Sequence, residues 1–340
     1  MRLTWRVADR AKRFFFMSAS ASIDRIFIIE IAAEDDLTGY EGMTQRQWYA
    51  EDLKLRAPVQ RNMAIVKAFA AVARERFLGP GPWRILPHPH VAFLTPDDDP
   101  HWIYHDVLVA IDQTRDLNNG QPGLWARIFD HLDLRRGHRV MQVGAGTGYY
   151  AAVLAEIVGA NGRVIALECD GELAARARIN LGPWGQVDVV HGDGRAHDPG
   201  EVDVIIVFAG STHPAPLWLD RLAPGGQLLM PLTTENRWGF LLRATRRRDY
   251  DAERIVLPTA RVQDRFDAVS IGGVGIFPCI GGRNEQAAKR FQEALDQLDH
   301  RSCFAKIPIE ALHRGEPGPE VIDKVWYHGP GFWLERKEAT

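Results

Sequence analysis

The string Gly144-Ala145-Gly146-Thr147-Gly148 follows the apolar run 139–143 and precedes an alanine-rich helical segment. A glycine-rich turn between a strand and a helix lets a ligand approach the backbone. It also sets that ligand over a helix N-terminus, where free amides attract negative groups. Dinucleotide sites space such glycines as G-x-G-x-x-G. Here the spacing is G-x-G-x-G, with Tyr149 and Tyr150 next in line. Glu168, with Cys169 beside it, closes a second apolar run, 163–168, where a carboxylate can accept hydrogen bonds from ribose hydroxyls. His191-Gly192-Asp193-Gly194 closes a third. An acid there can accept from an adenine amino group, while its glycine neighbours admit a flat ring. Loop, ribose acid and adenine acid occur in that order and together point to S-adenosylmethionine, and so to methyl transfer.

Such residues need a scaffold that gathers strand ends. From Arg139 short apolar runs alternate with helical segments, the pattern of βαβ units around a parallel sheet. Strands are expected over 139–143, 163–168, 187–191, 202–208 and 227–231, with helices over 149–158, 171–181 and 214–222. Gly225-Gly226 reads as the turn before the fifth strand, and 240–245 with 254–257 as an antiparallel hairpin at the sheet edge. Upstream, Thr44 and Gln47 form a capping box, and Pro58 suits the first turn of a second helix. Val59, Met63, Val66, Ala70, Ala73 and Phe77 would be the apolar face of that helix. Gly79-Pro80-Gly81-Pro82 ends it, and the prolines from Pro87 to Pro100 predict a loop or edge element. After the glycine-rich stretch 272–282, Asn284 caps a helix with Ala287, Phe291, Leu295 and Leu298 on one face. The segments 325–327 and 331–334 read as strand or edge. The expected organisation is a loose extension over 1–42, a helical and loop cap over 43–116, a methyltransferase domain over 117–263 and a C-terminal α+β extension over 264–340.

Composition narrows the partners. With 41 basic and 44 acidic side chains among 340 residues, no charge excess suggests nucleic acid or an anionic membrane. The run Arg246-Arg247-Arg248 reads as a solvated hairpin end. Three cysteines without CxxC spacing support neither a disulfide framework nor a zinc site, which fits a reducing cytoplasm. Phe14-Phe15-Phe16-Met17 is too short for the apolar core of a signal peptide, and no stretch approaches the roughly 20 apolar residues that span a bilayer.

The segment from Thr44 to Leu257 resembles the protein-L-isoaspartate (D-aspartate) O-methyltransferase family. The resemblance is carried by Arg74-Glu75-Arg76-Phe77-Leu78, Tyr104-His105-Asp106, Gln121-Pro122 and the string 143–155. Gly192-Asp193-Gly194, Leu222-Ala223-Pro224-Gly225-Gly226 and Pro231 continue it. It implies a doubly wound, Rossmann-like sheet binding S-adenosylmethionine through Gly144, Ala145, Gly146, Thr147, Gly148, Glu168, Cys169, Asp193 and Gly194. The implied reaction is methyl transfer to the carboxylate of an isoaspartyl residue in damaged protein, with Asn119, Gly120 and Gln121 bordering the methyl group. Two departures stand out. Gly120 replaces a hydroxyl-bearing family residue, and Gln142 stands where methyltransferases commonly carry an acid.

Other acceptors, a peptide of another kind or a small molecule, are compatible with the same fold. A non-catalytic cofactor-binding protein and a nicotinamide oxidoreductase are the rival classes. His88, His90, His101 and His105 share a loop but lack a metal-site spacing, and no resident metal is expected. Trp102, Tyr104 and Trp125 are either aromatic core or pocket lining, and Tyr149 and Tyr150 either flank the cofactor or pack the helix start.

Overall fold

The computed structural model describes residues 42–86, 92–115, 117–248, 265–298 and 307–338. Two compact units divide after Thr44. The first, like the extension expected over 1–42, lies almost wholly outside the described residues, and the account below concerns the second.

Helices α1 (Gln45–Arg56) and α2 (Met63–Ala71) open this unit. Next comes a small antiparallel sheet of β1 (Arg84–Leu86), β2 (Phe93–Leu94), β3 (Leu108–Asp112) and β4 (Leu117–Asn118), in the order β2-β1-β3-β4. Helix α3 (Pro122–Asp130) leads into alternating elements: β5 (Arg139–Val143), α4 (Tyr149–Val158), β6 (Arg163–Glu168), α5 (Gly171–Asn180), β7 (Val187–His191), β8 (Val202–Val207), α6 (Pro216–Asp220) and β9 (Leu222–Thr233). The chain continues through β10 (Trp238–Arg246), β11 (Arg265–Gly275), α7 (Glu285–Asp296), β12 (Ile309–Arg314), β13 (Val325–Gly329) and β14 (Phe332–Arg336).

The large sheet runs β13-β14-β12-β11-β10-β9-β8-β5-β6-β7. Strands β7, β6, β5, β8 and β9 are parallel, and every pairing beyond β9 is antiparallel. Alternation along each strand divides the core. Val140, Val164, Ala166, Val204 and Ile206 face a cluster shared with α1 to α5. Met141, Val143, Ile165, Ile205 and Val207 face the side covered by α6 and α7. A sheet covered on both faces buries continuous apolar strands, as 202–207 required. The strand order reverses at β5, between β6 and β8, so a crevice opens outside the carboxyl ends of these strands.

The cap differs from its sequence pattern at both ends of the second helix: it stops at Ala71, where Val72 and Ala73 turn extended, and Arg74–Phe77 form a separate 3-10 turn. Pro58 lies in a turn and α2 begins at Met63, capped by Asn62, whose side chain accepts from the Ala64 amide. The reason is Asp130 on α3. Its carboxylate accepts from the amides of Gln60, Arg61 and Asn62 at 2.8–3.1 Å, holding those residues outside the helix. The buried face is therefore Ile65, Val66, Ala68 and Phe69, while Met63 is exposed.

Gly225-Gly226 is no separate turn: it lies inside β9 at a register shift against β8. The partner of β10 on its outer side is β11, which runs into the start of the glycine-rich stretch, whereas 254–257 lies outside the described residues. Asn284 caps α7 as its sequence predicts, accepting from the Ala287 amide at 2.8 Å. The closing segments form the antiparallel pair β13–β14 at the sheet edge.

Candidate active site

A cavity of about 590 Å³ lies at the mouth of the β5–β8 crevice. Gly144 to Thr147 form one wall and 118–121 another, with Tyr149 and Tyr150 at the helix start below. The third wall comes from downstream of β9: Asn236, Arg237 and Trp238 at the β9–β10 turn, and 273–277 at the end of β11. Glu168, Cys169, Asp193 and Gly194 are not among the lining residues and lie at the neighbouring strand ends.

The glycine loop is built from left-handed backbone. Gly144, Gly146 and Gly148 have φ of 86°, 57° and 97°, a region that costs any residue with a Cβ. The amides of Gly144 and Ala145 both bond the Leu167 carbonyl on β6 at 2.9 Å. A Cβ at Gly148 would stand 2.7 Å from Leu181, so this glycine permits helix packing, whereas a Cβ at Gly146 would meet nothing within 4 Å. The loop thus turns bare backbone toward open space.

Glu168 is buried and accepts from the Gly146 amide at 2.7 Å and the Asp170 amide at 3.0 Å. Oε1 also accepts from the Cys169 thiol at 3.6 Å, so it is Oε2 that retains a further lone pair for a hydroxyl donor. The neighbouring Cys169 thiol is pushed up to about 11, first by burial and then by the Glu168 charge, so it stays protonated at neutral pH. Asp193 is exposed and accepts from the Arg195 amide at 2.8 Å. Gly194 is required by packing: a Cβ there would stand 2.7 Å from Val143, and its carbonyl accepts from Trp218 Nε1 at 2.8 Å.

The segment 118–121 is held by residues whose role the sequence did not disclose. Arg74 is fully buried, and its guanidinium donates to the carbonyls of Ile103 and Val107 at 2.7 Å and to Asn119 Oδ1 at 3.3 Å. It also sits 5.9 Å from the Tyr149 ring centroid. Asp106 accepts from the Gly123 amide at 2.6 Å and from Gln121 Nε2 at 3.1 Å. Both lie in strings quoted above only for their resemblance. An isolated Arg or Asp in a cap carries no periodic signal, so spacing alone gave no way to find them.

Gly120 has φ of 75°, and a Cβ would stand 3.0 Å from Trp125 Nε1 and 3.1 Å from the Tyr150 ring. Those two aromatics occupy the space a side chain at 120 would take. Trp125 stacks on Phe208, with centroids 3.5 Å apart, and both line the cavity. Trp125, Tyr149 and Tyr150 are thus at once core and lining, whereas the Trp102 indole bonds Asp97 away from the cavity. The Tyr150 hydroxyl, Thr147 Oγ1 and Gln142 Oε1 are buried with no hydrogen-bond partner among the described residues. Orphaned polar atoms around a loop of open backbone suit a polar ligand that completes them. His88 and His90 lie outside the described residues, His101 pairs with Asp99, and no group of three metal-ligating side chains occurs among those described.

Residues 51–257 match the model of the Protein-L-isoaspartate(D-aspartate) O-methyltransferase family, more than half of the chain. The chain belongs to that family. It is accordingly an S-adenosylmethionine-dependent methyltransferase of the isoaspartyl O-methyltransferase family. A protein-L-isoaspartate O-methyltransferase of Methanothermobacter thermautotrophicus is 30% identical over 244 residues, 70% of this chain and 96% of the relative. One from Pyrobaculum neutrophilum is 32% identical over 209 residues, 59% and 90%. Among solved structures, a protein-L-isoaspartate O-methyltransferase aligns with a TM-score of 0.56 at 20% identity, covering 86% of this chain and 88% of that one. A β-aspartate methyltransferase structure from Plasmodium falciparum, in complex with S-adenosyl-L-homocysteine, aligns at 0.51 and 16% identity, covering 70% and 99%. These structures share the family fold, and the doubly wound sheet read from the alternating pattern is the one observed. Among the described residues no helix is long and apolar enough to cross a membrane.

Proposed function

We propose that the enzyme methylates the carboxylate of isoaspartyl residues in peptides and proteins, within a reducing cytoplasm. The observation that carries this reading is the shared cavity, in which the cofactor loop 144–147 faces the segment 118–121 across one space. When bound, S-adenosylmethionine supplies an electrophilic methyl group on a sulfonium that departs as a neutral thioether. Gly144 to Thr147 would hold its methionine moiety over the N-terminus of α4, Glu168 its ribose hydroxyls and Asp193 its adenine amino group.

The acceptor needs no base. A carboxylate with a pKa of about 4 is ionised at pH 7, so an oxygen lone pair is free to form the new O–C bond and no proton moves. What remains for the protein is alignment and exclusion of water. Trp125, Phe208 and Tyr150 supply the dry wall, and Arg74 and Asp106 fix the segment that borders the reacting atoms.

Product chemistry tests the reading. Protein or peptide incubated with labelled cofactor should release label under mild base, as a carboxyl methyl ester does. Label resistant to base would place the methyl on another atom and overturn it.

A further inference from the structure

The cavity has one charged side chain among its described lining residues, Arg237. We infer that Arg237 is the residue that recognises the acceptor's carboxylate, and that the chain downstream of β9 serves to present it. This deepens the isoaspartyl reading and rests on it.

Arg237 is the one described residue other than glycine with a left-handed backbone, at φ 66°. That conformation is costly for a side-chain-bearing residue and persists only where the surroundings impose it. The surroundings do so from two sides. The Arg237 amide bonds the Thr234 carbonyl, and its own carbonyl accepts from Ile276 on the segment after β11, each at 3.1 Å. From that same downstream region Arg283 donates to the carbonyls of Thr233 and Thr234 at 3.0 and 2.7 Å. A turn braced this way aims one side chain.

The guanidinium lies over the Phe277 ring at 5.3 Å, with no carboxylate or carbonyl partner among the described residues. Beside it Trp238 is 58% exposed and lies flat on Gly275, whose missing Cβ would otherwise stand 3.2 Å from the indole. An unpaired, planar cation over an aromatic ring, in a cavity whose other described lining residues carry no charge, is matched to a carboxylate on an extended peptide. The opposite wall offers no side chain at Gly120 and no charge among its described residues.

The test is initial-rate kinetics on the full chain with an isoaspartyl peptide at saturating S-adenosylmethionine, beside calorimetry with S-adenosylhomocysteine. Arg237→Gln should raise KM about tenfold, the size expected for one lost charge-assisted hydrogen bond. It should leave kcat within about twofold and S-adenosylhomocysteine affinity unchanged. Arg237→Lys should fall between. Arg237→Gly relieves the left-handed backbone, so it should melt no lower than the parent and still show the raised KM, which separates recognition from folding. Added salt should raise the parent's KM and barely affect that of Arg237→Gln. An unchanged KM in Arg237→Gln overturns the inference, as does a joint loss of kcat and cofactor affinity. A parent that binds S-adenosylhomocysteine yet leaves the isoaspartyl peptide untouched overturns the acceptor reading itself, a failure visible before any variant is made.

Discussion

Glu168 accepts a hydrogen bond from the Gly146 amide at 2.7 Å, so the acid at the end of β6 also fixes the glycine loop at the end of β5. Its removal would free the loop and, with it, delete the acceptor proposed for the ribose hydroxyls. Glu168→Ala should weaken S-adenosylhomocysteine binding by roughly tenfold to a hundredfold, the range for lost hydrogen bonds to a charged group. Calorimetric titration checks this, and parent-like affinity in the variant would remove Glu168 from the cofactor site.

Gly120 invites a restoration that the geometry forbids. Gly120→Ser returns the family's hydroxyl but places a Cβ at positive φ, 3.0 Å from Trp125 Nε1. We expect a loss of about 1–2 kcal/mol in unfolding free energy and lower, not higher, turnover. A Gly120→Ser enzyme faster and no less stable than the parent would show that the aromatics give way.

Arg74 ties the segment 118–121 to the cap. Arg74→Met leaves the Ile103 carbonyl buried and without this donor, at a cost of about 1–3 kcal/mol, and takes a donor from the partly buried Val107 carbonyl as well. Denaturant melts should show the loss. Turnover should fall further than the melt alone accounts for, because Asn119 and Gly120 lose their anchor. Equal stability in the two proteins would contradict the packing account.

His213 gives the enzyme an acid-sensitive element. Burial first, and then the nearby Arg195 charge, lower its imidazole from 6.5 to about 4. Below the unfolded value the unfolded chain binds a proton that the folded chain refuses. Stability is therefore intact above about pH 6.5 and is lost as pH falls toward 4. His213→Asn should flatten that part of the stability profile. Parallel profiles for parent and variant between pH 7 and 5 would show that His213 does not titrate differently on folding.

How much of this was legible beforehand follows from range. The glycine loop, Glu168 and Asp193 sit at the ends of strands with strong apolar runs, so period and position located them without a structure. Asn284 announced α7 because an N-cap acts within three residues of itself. Pro58 misled because the groups that delay α2 belong to Asp130, far along the chain. Arg237 was invisible for the same reason: its backbone geometry is imposed by Ile276 and Arg283, neither of which leaves a mark on the sequence around it. Local rules recovered the parallel half of the sheet and its loops, while contacts between distant segments decided the third wall of the cavity.

The central claim is isoaspartyl-selective methyl transfer from a cofactor held at Gly144 to Gly148. Its most direct test is turnover of an isoaspartyl peptide beside its aspartyl twin, on a sample shown by calorimetry to bind S-adenosylhomocysteine. The account predicts methylation of the isoaspartyl peptide and essentially none of the aspartyl one. Equal turnover of the two, or binding without turnover of either, would contradict it.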